Sequence, residues 1–361
     1  MSLLVSNNGS LQVAVLGPPV QYGSPICSGT GDITNVKRVQ LEHQDHLVVL
    51  RVSGAVQLHK FYPAHNQYQI IKEWRNGVMH ANDKIVDMGI IRQTYLYTCS
   101  GEGVFVIRDL VNDDDDHRCK ECKLSGPVTS IKVSEAKENF RVAVGSKDMG
   151  VRLYQISFDK DYLVDDTIAS KMYNLHQNSN VVSMNRVRYL LRRRSESASK
   201  EKLVPQWQTP AFFETYWVVS LEFWRHYVIC GTQFGFIVVY DSTTVSDTPI
   251  KVIKNSGSPI INLKDVGNHL VACDMMSKIN VIRLPTFEEV NSYTYNFGII
   301  EQSKILVHRR TARDVVVVAA TAAGRLVALR LRPDDSYEVV HDMAMPQPVQ
   351  AFLVLRWHRS G

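Results

Sequence analysis

The sequence has few of the features that mark secreted, membrane or fibrous proteins. Its 361 residues include only six cysteines, too few for a disulfide scaffold at this length, which favours a reducing compartment. The longest apolar run, Val315 to Ala323, is too short to span a bilayer. Residues Met1 to Leu16 lack the basic start and apolar core of a secretory signal. These absences predict a soluble intracellular protein with no membrane partner.

A strong charge of either sign is also missing. The chain has 41 basic and 36 acidic residues, and this small excess permits contact with an acidic polymer without requiring it. Apolar residues make up 45% of the sequence, so a large core can form. Cys99, Cys230 and Cys273 lie inside apolar runs, where we expect them to be small buried side chains.

A repeated hairpin runs through the chain. An apolar strand, a tight polar turn that usually contains glycine, and a second apolar strand recur seven times. The residues that mark the turns are Gly9, Gly54, Gly103, Gly150, Gly235, Lys278 and Gly324. Their spacings are 45, 49, 47, 85, 43 and 46 residues, and joining the chain ends adds a further interval of 46. A period of this size is typical of four-stranded propeller blades.

The repeat predicts the architecture. The paired strands are apolar on both faces, as in Val104 to Ile107, which suits strands packed between two neighbouring blades. A third strand precedes each hairpin, and the segment from Pro348 would complete a blade with the N-terminal hairpin. We therefore predict an all-β chain. It forms a single seven-bladed WD40-type β-propeller over residues 1–361, closed by pairing of its N- and C-terminal strands in one blade.

The 85-residue interval breaks the period. No glycine occurs between Gly150 and Gly231, which argues against an eighth blade. We interpret residues 157–210 as an outer strand plus a long polar and basic insertion between the third and fourth complete blades, because the composition shifts there to charged and polar residues. Long insertions in compact folds are either functional or disordered. The insertion contains the residues Arg192, Arg193, Arg194, Lys200, Lys202, Val204, Pro205 and Trp207.

The basic residues of the insertion suit phosphate contacts with RNA or contacts with an acidic protein surface; a solvated loop is the alternative. A second basic group, Arg309, Arg310 and Arg313, could join the same patch or lie elsewhere. Trp207 lies between two prolines, which forbid a central strand and favour an extended surface segment. Its ring could pack onto the propeller or dock a partner.

Catalytic motifs are absent. The sequence has no nucleophile elbow, P-loop or Rossmann fingerprint. Cys119 and Cys122 form a single Cys-x-x-Cys pair, and zinc needs four ligands, so we expect a solvated loop there rather than a metal or redox site. The acidic run from Asp113 to Asp116 lacks the alternating ligands and the glycine of a calcium loop. We expect no cofactor, no metal and no enzymatic activity; a propeller enzyme is the rival hypothesis.

Several segments resemble a known family. They are Leu3-Leu-Val-Ser6 at the start, the hairpin from Val142 to Leu153, the segment Lys202-Leu-Val-Pro-Gln-Trp207 after the basic insertion, and the hairpin from Gly231 to Asp241. Together they resemble the WD-repeat nucleolar assembly factors of the large ribosomal subunit, called Nop-seven-associated protein one or WD-repeat protein seventy-four. The chain differs from that family in having no Trp-Asp dipeptide and no lysine-rich tail after Gly361.

The resemblance implies a function. A member of this family would be a non-catalytic scaffold of the nucleolus or nucleus in 60S subunit biogenesis and rRNA processing. It would dock on early pre-60S particles through ribosomal RNA and assembly-factor proteins, and an AAA-type ATPase would release it. The alternative is a WD-repeat adaptor in another intracellular complex, with the cytoplasm as its location. The fold alone does not choose between them.

Overall fold

A computed structural model gives the fold of the described part of the chain. The residues it describes are 2–7, 9–15, 21–27, 31–75, 84–111, 119–124, 126–135, 139–146, 150–157, 207–208, 217–244, 248–296, 298–307, 315–332, 334, 336–345, 349 and 351–356. The chain divides into two compact units. The first comprises residues 1–84, 275–279 and 291–361, and the second comprises residues 85–274 and 280–290.

One four-stranded sheet of the first unit joins both ends of the chain. Its strands in spatial order are β28 (Phe352–Arg356), β1 (Ser2–Asn7), β2 (Ser10–Val15) and β3 (Gln21–Cys27). The C-terminal strand β28 pairs antiparallel with β1, with Val5 opposite Phe352 and Leu3 opposite Val354. The predicted blade shared by the two termini is therefore confirmed.

The other six sheets each take four strands that are consecutive in the sequence. Two lie in the first unit: β4 (Ile33–Leu41), β5 (Gln44–Arg51), β6 (Ala55–Tyr62), β7 (Gln67–Arg75); and β24 (Ile300–Val307), β25 (Val315–Thr321), β26 (Arg325–Leu331), β27 (Tyr337–Ala344). Three lie in the second unit: β8 (Ile85–Ile91), β9 (Tyr95–Ser100), β10 (Val104–Asp109), β11 (Cys119–Lys123); β12 (Ser130–Glu135), β13 (Asn139–Gly145), β14 (Val151–Ser157), β15 (Trp207–Gln208); and β16 (Val218–Trp224), β17 (Tyr227–Thr232), β18 (Phe236–Asp241), β19 (Lys251–Lys254).

The remaining sheet contains β20 (Ile260–Val266), β21 (His269–Asp274), β22 (Lys278–Arg283) and β23 (Glu288–Thr294). The described residues thus form seven four-stranded antiparallel blades, the predicted all-β architecture. In each blade the second and third strands form the hairpin identified from the sequence.

The conformation of the hairpin turns explains why glycine recurs at a regular spacing in the sequence. The six turn glycines all have positive φ, for example 77° at Gly235 and 85° at Gly103. Glycine adopts this left-handed conformation without the steric penalty of a Cβ atom. In the seventh hairpin the positive φ, 86°, belongs to Ser277, and Lys278 is the first residue of the following strand. The turn residue there is therefore Ser277, one position before the one predicted.

The second and third strands of the blades are the most completely buried, and the first strands add further core residues such as Ile33 and Ile260. Every residue of β9 and β10 is buried, as their apolar pattern predicts. In the first unit, Val5 and Phe352 of the shared blade pack in one cluster with Val316 and Val318 of β25. Each such side chain contributes about 1.5–3 kcal/mol when it leaves water. Packing of this kind ties the terminal strands to the blade before them.

One expectation from the sequence is corrected by the strand assignments. Cys119 and Cys122 were expected in a solvated loop, but they lie in β11, the fourth strand of its blade, which pairs with β10. Backbone pairing, rather than apolar periodicity, builds this strand. In the segment 157–210, Ser157 ends β14 and Trp207–Gln208 form β15, whereas residues 158–206 lie outside the described residues, so the insertion stays a prediction. The acidic run at 113–116 lies outside the described residues.

Candidate interaction surfaces

Most of the binding residues predicted from the sequence lie outside the described part of the chain. Residues 158–206 contain Arg192, Arg193, Arg194, Lys200, Lys202, Val204 and Pro205, and residues 308–314 contain Arg309, Arg310 and Arg313. These residues therefore remain a prediction. Trp207 falls on a described strand, the first residue of β15.

The backbone of Trp207 pairs with Leu153 of β14, and Gln208 pairs with Arg152. β15 is the last strand in the order β12-β13-β14-β15, so it has only one partner strand among the described strands. An edge position tolerates the prolines that flank it, since proline cannot donate to a second ladder. β14 and β15 are therefore paired in one blade although residues 158–206 separate them in the sequence.

A charged cluster, which the sequence analysis did not identify, lies on the first strands of three successive blades in the second unit. Glu222 of β16 is buried, with 4% of its side chain exposed. Its Oε2 atom lies 2.8 Å from Nζ of Lys132 on β12 and 3.7 Å from Nζ of Lys264 on β20. Nζ of Lys264 also lies 3.4 Å from Oδ1 of Asp265. Two ammonium groups thus balance two carboxylates.

The electrostatics of the cluster favour the charged form of Lys264. Burial by itself lowers the pKa of Lys264, but the carboxylates of Glu222 and Asp265 outweigh burial and raise the pKa above its ordinary value. The lysine side chains remain 31% and 41% exposed, so solvent reaches them. Because the charges are balanced, the cluster connects three neighbouring strands and does not present a free anion site.

Register explains why these residues meet. Lys132, Glu222 and Lys264 pair with Ala143, Ile229 and Val271, which occupy equivalent places before their hairpin turns. In the first unit, the equivalent places on β4 and β24 are Lys37 and Lys304. Aligning the repeats on their turns would have revealed this lysine-rich position from the sequence.

Cys27 and His59 form a buried pair in the first unit that could be mistaken for a catalytic one. Sγ of Cys27 lies 3.2 Å from Nδ1 of His59, and Nε2 of His59 lies 3.3 Å from Oε1 of Gln57. Burial raises the pKa of Cys27 to about 11 despite the nearby Arg51. Burial and the charge of Arg51 lower the pKa of His59 to about 4. Both groups are neutral near pH 7, so the thiol is not activated.

Exposed apolar side chains mark a second kind of surface in the first unit. Met276 is 59% exposed and Ile299 is 52% exposed. Their segments are joined because the backbone N–H of Ile300 donates to the carbonyl of Met275. Large apolar side chains exposed in this way are typical of protein contact sites when they cluster.

Two kinds of feature are absent from the described residues. Across these ranges, no group of three or more His, Cys, Asp and Glu side chains is arranged to hold a metal ion. No helix in the described part of the chain has the length and apolar character needed to cross a membrane.

Seven four-stranded antiparallel blades, one of them shared by the two termini, define a WD40-like β-propeller. Solved propeller structures are similar to it. The β-propeller domain of Myceliophteria thermophila Cps50 (Swd1) has a TM-score of 0.58 at 13% identity, covering 89% of this chain and 88% of that one. Chaetomium thermophilum Raptor has a TM-score of 0.60 at 14% identity, covering 90% of this chain and 26% of that one.

The computationally designed Ika8 protein has a TM-score of 0.50 at 13% identity, covering 90% of this chain and 91% of that one. At these identities the likeness establishes the fold alone. No protein-family model matches the chain, and no curated protein matches it by sequence.

Proposed function

We propose that this protein is a non-catalytic scaffold in large ribosomal subunit biogenesis. In this role it docks on early pre-60S particles in the nucleolus, where it contacts ribosomal RNA and assembly-factor proteins. An AAA-type ATPase later releases it. The basic insertion supplies the RNA contacts, with Arg192, Arg193 and Arg194 at its centre.

One observation supports the proposal most. Two of the segments that resemble the nucleolar family, the Val142–Leu153 hairpin and the segment that ends at Trp207, are far apart in the sequence. They meet in one blade, where Trp207 pairs with Leu153. The basic stretch between them therefore begins and ends on a single sheet. Anchoring of both ends of a basic segment on one sheet suits an RNA contact, because phosphate binding needs several cations held close together.

The protonation states of one buried side-chain pair support the non-catalytic part of the proposal. The Cys27 thiol and the His59 imidazole are the described pair most like a nucleophile and its base. Their shifted pKa values keep both groups neutral at physiological pH. A buried neutral thiol is a poor nucleophile.

The test is affinity purification of the tagged full-length chain from its native cells. We expect large-subunit precursor RNA and assembly factors to co-purify. Changing Arg192, Arg193 and Arg194 together to Ala should weaken particle binding. It should also reduce the magnitude of the negative slope of log affinity against log salt concentration by about two, since each lost phosphate contact removes about 0.7 from that slope for single-stranded RNA.

The matched control changes the same three arginines to Lys. This variant keeps the charge, so its salt slope should stay near that of the unmodified chain. A purification that yields cytoplasmic, non-ribosomal partners contradicts the proposal and favours an adaptor in another complex. Equal binding by the Ala variant would show that the arginines do not contact the particle.

A further inference from the structure

The fourth strand of one blade in the second unit, β19, combines exposed apolar and basic side chains. Ile250, just before the strand, is 49% exposed, and Val252 within it is 41% exposed. Lys251 and Lys254 are also exposed. β19 is terminal in the order β16-β17-β18-β19, so its far edge has no partner strand among the described strands.

The register shows which backbone groups face outward. Asn255 donates its N–H to the carbonyl of Gly235, across from β18. Hydrogen-bonded and non-hydrogen-bonded pairs alternate along an antiparallel ladder. Ile253 and Lys251 therefore direct their backbone groups to β18, whereas Val252 and Lys254 direct theirs to the open edge. An added strand would find backbone donors and acceptors there.

The charge of this edge is uncompensated. In the described part of the chain, neither Lys251 nor Lys254 forms an ion pair. The Asp241 carboxylate of β18 accepts hydrogen bonds instead from the backbone N–H of Thr243 at 2.8 Å and from its hydroxyl at 2.6 Å, and it lies 3.8 Å from Nε2 of His226. Lysines on an edge discourage pairing with another basic strand. Antiparallel pairing of two copies of β19 would bring lysines near lysines, so a second copy is a poor occupant.

The apolar part of the surface distinguishes a peptide from a nucleic acid. Non-specific single-strand binding relies on aromatic side chains on which successive bases stack. β19 offers the aliphatic side chains of Ile250 and Val252, and Phe234 in the adjacent turn is the exposed aromatic residue of the blade's described part. Aliphatic side chains beside a free backbone edge match an extended peptide, with main-chain bonds for affinity and side chains for specificity.

We infer that the open edge of β19 binds an extended segment of a partner protein as an added strand, with acidic residues opposite Lys251 and Lys254 and apolar residues between them. This inference stands apart from the proposed ribosomal function, which depends on the basic insertion. Its test uses purified protein and different residues, so either can fail alone.

The probe is a labelled synthetic peptide, Thr-Glu-Val-Val-Glu-Thr, whose two glutamates have the spacing of the two lysines. Fluorescence anisotropy with the purified full-length chain should give saturable binding. The peptide with Lys in place of both Glu should bind at least about fivefold more weakly, because like charges then face each other. A peptide methylated on its backbone nitrogens should not bind.

Variants of the chain locate the site. Lys251→Glu and Lys254→Glu should each weaken binding of the acidic peptide by roughly fivefold. The double variant should bind the peptide that carries two lysines more tightly than the acidic peptide. Val252→Pro should abolish binding, because it removes an outward N–H while leaving the bonds to β18. Lys84→Glu, the same change at an exposed lysine outside this blade, should bind normally, and thermal unfolding checks that every variant is folded.

Three results would overturn the inference. One is the absence of saturable binding. Another is equal binding of the plain and the N-methylated peptide, which would mean ionic adsorption without strand pairing. The third is tighter binding of a single-stranded oligouridylate that is lost in the two Lys→Glu variants, which would identify a nucleic-acid surface.

Discussion

Arg51 offers the sharpest test of how the blades of the first unit are joined. It ends β5 and is only 2% exposed. Its Nη1 donates to the carbonyls of Gly9 at 2.9 Å and Gly31 at 2.6 Å, and its Nε donates to Oε1 of Gln57 at 2.8 Å. Because Gly9 is in the turn of the shared blade, the guanidinium connects that blade to the one containing β5.

The magnitude follows from what each substitution leaves behind. Arg51→Met removes three donors, and each buried acceptor left without a partner costs about 1–3 kcal/mol. Gly31 is exposed, so water can replace its bond. Removing a desolvated cation offsets part of the loss. We expect a net loss of about 2–4 kcal/mol for Arg51→Met. For Arg51→Lys we expect about 1–2 kcal/mol, because a single ammonium cannot reach all three acceptors.

The assay is equilibrium unfolding in urea, followed by tryptophan fluorescence and circular dichroism to check that the transitions coincide. Arg38→Met is the matched control. The side chain of Arg38 is 43% exposed, and its guanidinium pairs with Asp45 of the same hairpin at 2.6 Å, so its loss should cost only about 0.2–1 kcal/mol. If Arg51→Met is no more destabilising than Arg38→Met, the hydrogen bonds of the buried guanidinium do not join the blades.

Three further predictions concern the fold. Gly235→Ala should destabilise by at least about 2 kcal/mol, because Gly235 has a φ of 77° and an added Cβ would lie 2.5 Å from the carbonyl oxygen of Ser256; Gly257→Ala, with nothing within 4 Å, should change urea stability little. Leu3→Cys with Val354→Cys should form an intramolecular disulfide on oxidation, because the backbones of the two residues form a non-hydrogen-bonded pair of the ladder between β1 and β28. Mass spectrometry that found only intermolecular links would contradict the shared blade. His59→Gln should reduce the loss of unfolding free energy between pH 6.5 and pH 4. In the original chain the unfolded imidazole takes up a proton below its ordinary pKa near 6.5 and the buried one only below about 4, so stability falls by up to about 3 kcal/mol as pH drops through this window. An unchanged dependence of stability on pH in the variant would refute the lowered pKa.

The hairpins were predictable because their turns need glycine and their strands are apolar on both faces. The fourth strands were harder to predict. β11 consists of Cys119–Lys123, with no apolar periodicity, because its edge position needs backbone pairing more than burial. β15 has two residues and is separated from its partner β14 by residues 158–206. In the sequence, polar edge strands therefore have the same pattern as loops.

The candidate surfaces could also be predicted only in part from the sequence. The lysine-rich register position could have been found by aligning the repeats on their turns. The Arg51 contacts could not, because two of its acceptors are backbone carbonyls of Gly9 and Gly31. The edge of β19 was also missed, since exposure of Ile250 and Val252 depends on which strand ends the sheet.

The most direct test of the proposed ribosomal function is depletion of the protein from its native cells, with quantification of the mature ribosomal RNAs of the large and small subunits. The proposal predicts that large-subunit RNA falls and its precursors accumulate, while small-subunit RNA is spared. Unchanged large-subunit RNA with normal precursor levels would contradict it.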